Sequence, residues 1–319
     1  MTTQNPQQRK EGTMAEHPDV QYLNILRDIM DKGEIRPTRA VDPTTKQKVD
    51  AKTVWQRTMR FDMTDGFPAL TTKKLFWDGV AGELLGFLEG YDNAGSFRRL
   101  NCRIWDANAN ENEWWLMNPH RKGQDDLGRI YGVQWRKWKG PEGEEVDQLR
   151  NVIESIKNDP YGRRHIVTAF NPAELKQMAL PPCHMFYHFD VTNQGKLNLF
   201  MYQRSCDMFL GVPFNIASYS LLLHIVARAT GYEPGEFVHQ LGNAHIYVNH
   251  FDQVNEQLTR EPYPLPALWI SPDMKEIDDY HRTVIEAIDD DIAPKDAIQK
   301  IIRLENYVSH PAIRAPMAV

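Results

Sequence analysis

The sequence predicts an α/β protein of the α+β type: a single large domain around one mixed β-sheet. Three observations predict it. Stretches with helical periodicity and stretches with strand alternation mix without a regular βαβ rhythm. After a polar first segment, residues 1–16, no repeat, linker or low-complexity run divides residues 17–319. At 319 residues and 41% hydrophobic content the chain can bury a large core, enough for one big domain or two ordinary ones.

Each element has its own signal. Val20, Leu23, Leu26, Ile29 and Met30 fall at helical spacing over 19–32, and Gly33 ends the run. RPTRAVDPTTKQKVDAKT reads as a loop with turn chemistry at Asp42-Pro43. WQRTMRFDM, from Trp55, alternates as a strand, and VAGELLGFLEG reads as a helix flawed by Gly86. Residues 107–128, rich in Asn, Asp and Gly, read as a surface excursion. Val146, Leu149, Val152, Ile153 and Ile156 predict an amphipathic helix stopped at Asn158-Asp159-Pro160, and RHIVTAF follows as a strand. Residues 184–203 predict a β-hairpin turning at Asn193-Gln194-Gly195. FNIASYSLLLHIVARATG is a nearly all-apolar helix closed by Gly231, and HIYVNHFDQVNEQLTRE is expected as a further helix.

Composition excludes several classes. Eight tryptophans are foreign to a disordered chain, and a net charge of −6 argues against a general nucleic-acid binder. The first residues, MTTQNPQQRKEGTMAE, lack the apolar core of a secretory signal. The most apolar helix carries His224 and Arg228 and is too short to span a bilayer. Three cysteines, Cys102, Cys183 and Cys206, are too few and too scattered for a disulfide framework or a CxxC zinc site. These readings point to a soluble protein of a reducing compartment, the cytoplasm, with no membrane partner.

Among chemical motifs, metal comes first. His184 and His188 are four apart, a spacing that serves a metal on a helix face, whereas this stretch reads as strand. His245 and His250 have no acidic partner at metal spacing, so no metal is expected. GQDDLGRI misses a P-loop at Arg129 and Ile130, and no GxSxG elbow is present. In LPPCHMFYHFD, two prolines fix the backbone entering Cys183, which suits a strand start at a cavity rim. Alone, that leaves the thiol between a small buried hydrophobe and a nucleophile. The paired Arg163 and Arg164, and Arg204-Ser205, have the planar forks that phosphate recognition uses, against the alternative of surface ion pairs. YQRSCDMFLGVPFN mixes polar and large apolar residues as a pocket for an anion and an amide edge would.

LPPCH, YQRSCDMFLGVPFNIASY, HIYVNH, REPYPLP and HPAIRAPMAV resemble the thymidylate synthase family. MRFDMTDGFPALTTKK, IWDAN, DLGRIYGVQWR and NDPYGRRHIV continue the resemblance in the family's order, from about residue 20 to 319. It implies that family's fold, a homodimer through the sheet, and reductive methylation of dUMP by the co-substrate 5,10-methylenetetrahydrofolate, with no metal. It also implies roles. Cys183 would attack C6 of uracil, with Glu83 organising proton-transfer waters and Tyr131 assisting loss of the C5 proton. Arg204 and Ser205 would bind the phosphate, joined by Arg163 and Arg164 from the other subunit. Asn215 would read the uracil edge, and His245 and Tyr247 the sugar hydroxyl, with Cys206 and Asp207 on the same nucleotide site. Trp105, Asp207 and Gly211 would line the folate site, and Ala318-Val319 would close over it as a lid.

The resemblance departs at four points. The family's Arg-Thr-Gly-Thr-Gly phosphate loop is absent, leaving Arg39 or Arg36 as replacements. Gly86 stands where ELLWF has tryptophan, Phe76 where a folate-contacting histidine is usual, and Asn243 where GNAH would have aspartate. These leave open the related dUMP hydroxymethylases, in which water captures the C5 methylene, and a non-catalytic nucleotide- or RNA-binding member of the fold. Asn215 favours uracil, because an amide offers both a donor and an acceptor.

Overall fold

The computed structural model describes residues 16–317. Helix α1 (Asp19–Lys32) buries Leu23, Leu26 and Ile29 on one stripe, and the Gly33 amide closes it onto the Ile29 carbonyl. An edge strand, β1 (Glu34–Arg36), pairs antiparallel with β2 (Ala51–Asp62). Strand β2 begins four residues before the expected Trp55, and Gln56 kinks it with φ 58°. The loop between them turns at Asp42, whose Oδ1 accepts from the Thr44 and Thr45 amides at 2.8 and 2.9 Å.

Helix α2 (Trp77–Glu89) is followed by four short helices, α3 (Ala94–Arg99), α4 (Asp106–Asn110), α5 (Glu113–Leu116) and α6 (Tyr131–Arg136). The segment 107–128 is therefore more than the expected excursion. Trp115 is fully buried within it and donates its indole N–H to the Asp126 carbonyl at 2.6 Å. Asp125 in this segment accepts from Asn110 at 2.7 Å and pairs with Arg98 of α3 at 2.6 Å, and Arg98 also holds Asp106 at 2.7 Å.

A small ribbon, β3 (Trp138–Lys139) with β4 (Glu145–Val146), leads to the expected amphipathic helix, α7 (Gln148–Asn158). Then come β5 (Ile166–Thr168) and the hairpin of β6 (His184–Val191) with β7 (Lys196–Asp207). The all-apolar helix α8 (Gly211–Thr230) crosses over to β8 (Glu233–Tyr247). The chain finishes with α9 (Phe251–Leu258), β9 (Ala267–Ile270), α10 (Ile277–Asp289), α11 (Pro294–Ile301) and β10 (Ile302–Glu305).

The six-stranded sheet runs β1-β2-β8-β7-β6-β5. Every neighbouring pair is antiparallel except β7 with β8, so the sheet is mixed as expected. Helix α8 must make the crossover that a parallel pair requires. It packs on the sheet with Ile216, Leu221, Leu222 and Ile225 wholly buried, which is why it is apolar on nearly all sides. No helix among the described residues is long and apolar enough to cross a membrane.

Strand β8 corrects the sequence reading. Residues 245–247 complete this strand, and only 251–258 form the expected helix. Pro234, Gly235 and Gly242 obscured a strand whose buried positions include Phe237, His239, Leu241, Ala244 and Ile246. At Gly242 a Cβ would lie 3.0 Å from the Arg204 carbonyl, so the glycine permits close pairing with β7.

Gly128 supports the same architecture under strain. It has φ +66°, and a Cβ there would lie 2.1 Å from the Gln177 carbonyl. Gly128→Ala should lower stability by at least about 2 kcal/mol, the sum of a left-handed penalty and a backbone collision. Gly231, with φ +81° and nothing near a built Cβ, should lose only the first part when changed to alanine. Urea midpoints measure both, and equal losses would contradict the collision at Gly128.

Candidate active site

The site grows from a chain constraint at LPPC. Proline has no amide donor, so Pro181 and Pro182 can only accept hydrogen bonds. Arg204 on β7 supplies the donors: Nε reaches the Pro182 carbonyl and Nη2 the Pro181 carbonyl, both at 2.8 Å. The Arg204 amide also donates to the Cys183 carbonyl at 2.8 Å. The Cys183 amide donates to the Tyr131 hydroxyl at 2.7 Å. Four hydrogen bonds therefore fix the loop that carries a free, half-buried thiol. Burial pushes the Cys183 thiol up, while the Arg204 charge and the Tyr131 hydroxyl hold it back.

Tyr131 opens α6 and is packed from three sides, with ring centroids 5.2 Å from Phe87, 5.8 Å from Trp105 and 5.1 Å from His184. Beyond it, the Trp105 indole donates to Glu83 Oε1 at 3.0 Å. Burial pushes the Glu83 carboxyl up to about 7, and the Trp105 bond opposes that rise. Glu83 is thus poised to exchange a proton near neutrality. His184 is driven down to about 4 by burial, so its imidazole stays neutral there.

Asn215, on the first turns of α8, is oriented by Gln203 of β7. Gln203 Nε2 donates to Asn215 Oδ1 and to the Ser205 carbonyl, both at 3.0 Å, while His239 fixes its Oε1 at 2.8 Å. One lone pair of the Asn215 carbonyl is used, leaving another acceptor site and two N–H donors for a ligand. Asp207 Oδ1 accepts from the Phe209 and Leu210 amides at 3.0 and 3.1 Å and so holds the entry to α8. At Gly211 a Cβ would meet only Asp207 Cβ at 3.7 Å and Asn215 Oδ1 at 3.8 Å. The fold itself does not require that glycine, because both contacts are of ordinary van der Waals length.

His245 and Tyr247, at the end of β8, lie edge to face with centroids 5.2 Å apart. His245 Nδ1 is bonded to Asn243 Oδ1 at 3.0 Å, leaving Nε2 for a ligand. Burial lowers the His245 pKa. Burial, then Asp207 and Cys183, raise Tyr247 to about 12, which places its hydroxyl in the same electrostatic neighbourhood as the thiol.

The remaining expected residues divide. Ser205 is half-buried and faces Asn243 in the parallel register. The Cys206 thiol is fully buried and donates to the Gln203 carbonyl at 3.2 Å, so only its backbone can face a ligand. Arg163 and Arg164 are exposed and stand apart from Cys183. The His165 carbonyl accepts from the Phe189 amide, placing the pair beside the far end of β6, about six residues or roughly 20 Å of strand away. Arg39 is exposed on its loop and Arg36 pairs with Glu34. Phe76 is 51% exposed, with its ring over Gly79. Ala318 lies outside the described residues.

Two residues escaped sequence reasoning. Gln203 sits inside YQRSC, yet nothing in its spacing marks it as the residue that orients Asn215. Lys73 of TTKK is only 6% exposed, donates to the Phe209 carbonyl and lies 3.7 Å from that ring's centroid. Burial lowers it to about 7, with Asp207 opposing. Among the described residues no group of three His, Cys, Asp or Glu side chains could hold a metal ion.

Two comparisons bear on these residues. The family model described as thymidylate synthase matches residues 20–319. A thymidylate synthase of Pseudomonas syringae pv. tomato is 40% identical over 337 aligned positions, which cover 94% of this chain and 99% of that protein.

The Arg204 clamp carries a sign that can be measured. Arg204→Met removes a cation that holds the thiol's pKa down, so the Cys183 pKa should rise further and alkylation by iodoacetamide at pH 7 should slow roughly tenfold. Arg204→Lys should retain more of the rate, because the charge remains although the bidentate fork is lost. An unchanged pH profile for Arg204→Met would refute the electrostatic role.

Proposed function

Because the chain belongs to the thymidylate synthase family, we propose that it methylates dUMP reductively to dTMP. Its co-substrate, 5,10-methylenetetrahydrofolate, supplies both the one-carbon unit and the hydride. The observation that carries this reading is the clamped, half-buried Cys183, with Arg204 beside it and the Asn215 amide oriented from the same strand.

Each residue's chemistry follows from its surroundings. The Cys183 thiolate adds to C6, and the C5–C6 π electrons move to C5 and onto O4. The free amide hydrogens of Asn215 can donate to O4 as it gains charge, and its remaining lone pair can accept from N3–H. A deprotonated C4 amidine edge would lack that N3–H donor, so the Asn215 amide favours uracil over cytosine. Glu83, near neutrality, holds or releases the proton exchanged near O4. C5 then bonds to the one-carbon unit; the Tyr131 hydroxyl, held protonated by burial, assists loss of the C5 proton as tetrahydrofolate leaves, and hydride addition to the resulting C5 methylene expels the thiolate from C6 and regenerates Cys183. Arg204 retains Nη1 for a phosphate oxygen beyond its two proline contacts.

The position of Arg163 and Arg164 supports a shared site. Within one chain they cannot approach Cys183, yet they form an exposed cationic pair at the sheet edge. The face of the sheet away from the core carries Phe186, Phe200 and Tyr202 in register, with Ile166 43% exposed beside them. An apolar sheet face of this kind suits a second copy of the chain, packed so that each arginine pair serves its partner's phosphate site. Of the departures, Gly86 gives no support to a water channel, since a Cβ there would lie 2.3 Å from a ring carbon of Phe97. That filled space favours methyl over hydroxymethyl product.

Incubation with dUMP and methylenetetrahydrofolate, followed by mass analysis of the nucleotide and of the folate, should show a methyl gain with dihydrofolate. A hydroxymethyl gain with tetrahydrofolate, or no turnover, would overturn the proposal. Mixing Arg163→Ala with Cys183→Ala should recover part of the lost activity, because a hybrid dimer contains one intact site. Two folded, dimeric variants that fail to complement would exclude the shared site.

A further inference from the structure

Gly86 stands in the middle of α2, where glycine costs about 1 kcal/mol relative to alanine. It ends no helix and needs no left-handed φ. Its reason is a neighbour. A Cβ at Gly86 would fall 2.3, 2.7 and 3.1 Å from three ring carbons of Phe97. The phenyl ring of α3 therefore occupies the space where a side chain on α2 would begin, and it is fully buried there.

That ring also touches the proton-transfer apparatus. Its centroid lies 6.0 Å from Trp105 at an interplanar angle of 32°, and 5.7 Å from Phe87. Trp105 in turn donates to Glu83 Oε1. Gly86 and Glu83 are three residues apart on α2, so they share one face of that helix. Arg98, next to Phe97, holds Asp106, next to Trp105, at 2.7 Å. Two consecutive residues of α3 thus grip the segment that carries the indole.

We infer that Phe97 is a positioning residue: seated on Gly86, it holds the Trp105 indole against Glu83 and keeps water from that carboxyl. Gly86 and Phe97 act as one unit, with a glycine on α2 making room for a ring delivered from α3. The titratable groups coupled to Glu83 are Cys102, beyond α3, and Tyr219 on α8; burial raises both, so they are uncharged at neutral pH. Tyr131 on α6 is likewise held protonated by burial. Hydration and the indole contact are left as the controls on Glu83, and Phe97 governs both.

The catalytic meaning of this inference rests on the proposed function, but its first test does not. Glutamate carboxyls labelled with carbon-13 can be titrated by NMR in the full-length protein, with Glu83→Gln assigning the resonance. The wild-type midpoint is expected near the value that burial sets, about 7. In Phe97→Leu, admitted water should bring it down by about one unit. Gly86→Ala, which displaces the ring while leaving Phe97 in place, should move it the same way. Adding Gly86→Ala to Phe97→Leu should cost less than it does alone, since the ring edge is gone. A wild-type midpoint in the ordinary carboxylate range would overturn the inference. So would an unmoved midpoint in folded Phe97→Leu and Gly86→Ala, even with lowered thermal stability, because that is the mark of core packing alone. The Glu83-dependent limb of the kcat/KM pH profile should follow the NMR shift. Absence of turnover in wild type would refute the proposed function and leave the titration to judge Phe97.

Discussion

Two proline carbonyls and one guanidinium organise this molecule's chemistry. Pro181 and Pro182 need hydrogen-bond donors from outside their own loop, and Arg204 provides two in the planar geometry that only arginine offers. Because Arg204 lies on β7, the position of the Cys183 thiol is tied to the sheet. The parallel pairing of β7 with β8 then brings Ser205 beside Asn243, and Asp207 beside His245, in one register. A slip of one residue would turn these side chains to the other face and remove the site altogether.

Burial does the second part of the work by assigning protons. Glu83 and His184 are both enclosed, yet burial drives them in opposite directions because one is charged when deprotonated and the other when protonated. The carboxyl rises to about 7 and the imidazole falls to about 4, so near neutrality only the former can exchange a proton. The Tyr131 hydroxyl is raised well beyond both by burial and remains a proton holder. No charged partner is needed to produce this division of roles. A shell of Phe87, Trp105, Trp135 and Tyr219 rings is enough.

The elements legible in the sequence are those whose burial is one-sided or complete. Helix α7 shows its stripe, α8 its unbroken apolar run, and the β6–β7 hairpin its turn at Asn193-Gln194-Gly195. Strand β8 was illegible because it serves two masters. One face packs Phe237 and Leu241 into the core and, two residues further on, presents Asn243 beside Ser205, while Gly242 is needed for close approach to β7. The site shows the same split. Cys183, Arg204 and Asn215 stand in long recognisable motifs, whereas Gln203 matters through an orientation that spacing cannot convey. Arg163 and Arg164 are conspicuous in the sequence, but within this chain they stand exposed at the sheet edge, apart from Cys183.

The departures from the family pattern read differently once contacts replace letters. Gly86 is the receiving half of a packed pair, so a change that would otherwise leave a hole is matched by a ring from α3. Asn243 retains the hydrogen bond to His245 Nδ1 that a carboxylate could make, but without the charge that would favour an imidazolium. The imidazole then stays neutral with Nε2 available, and its ring remains set edge to face against Tyr247. In both places the contact is a physical one, a filled volume at Gly86 and an oriented ring nitrogen at His245.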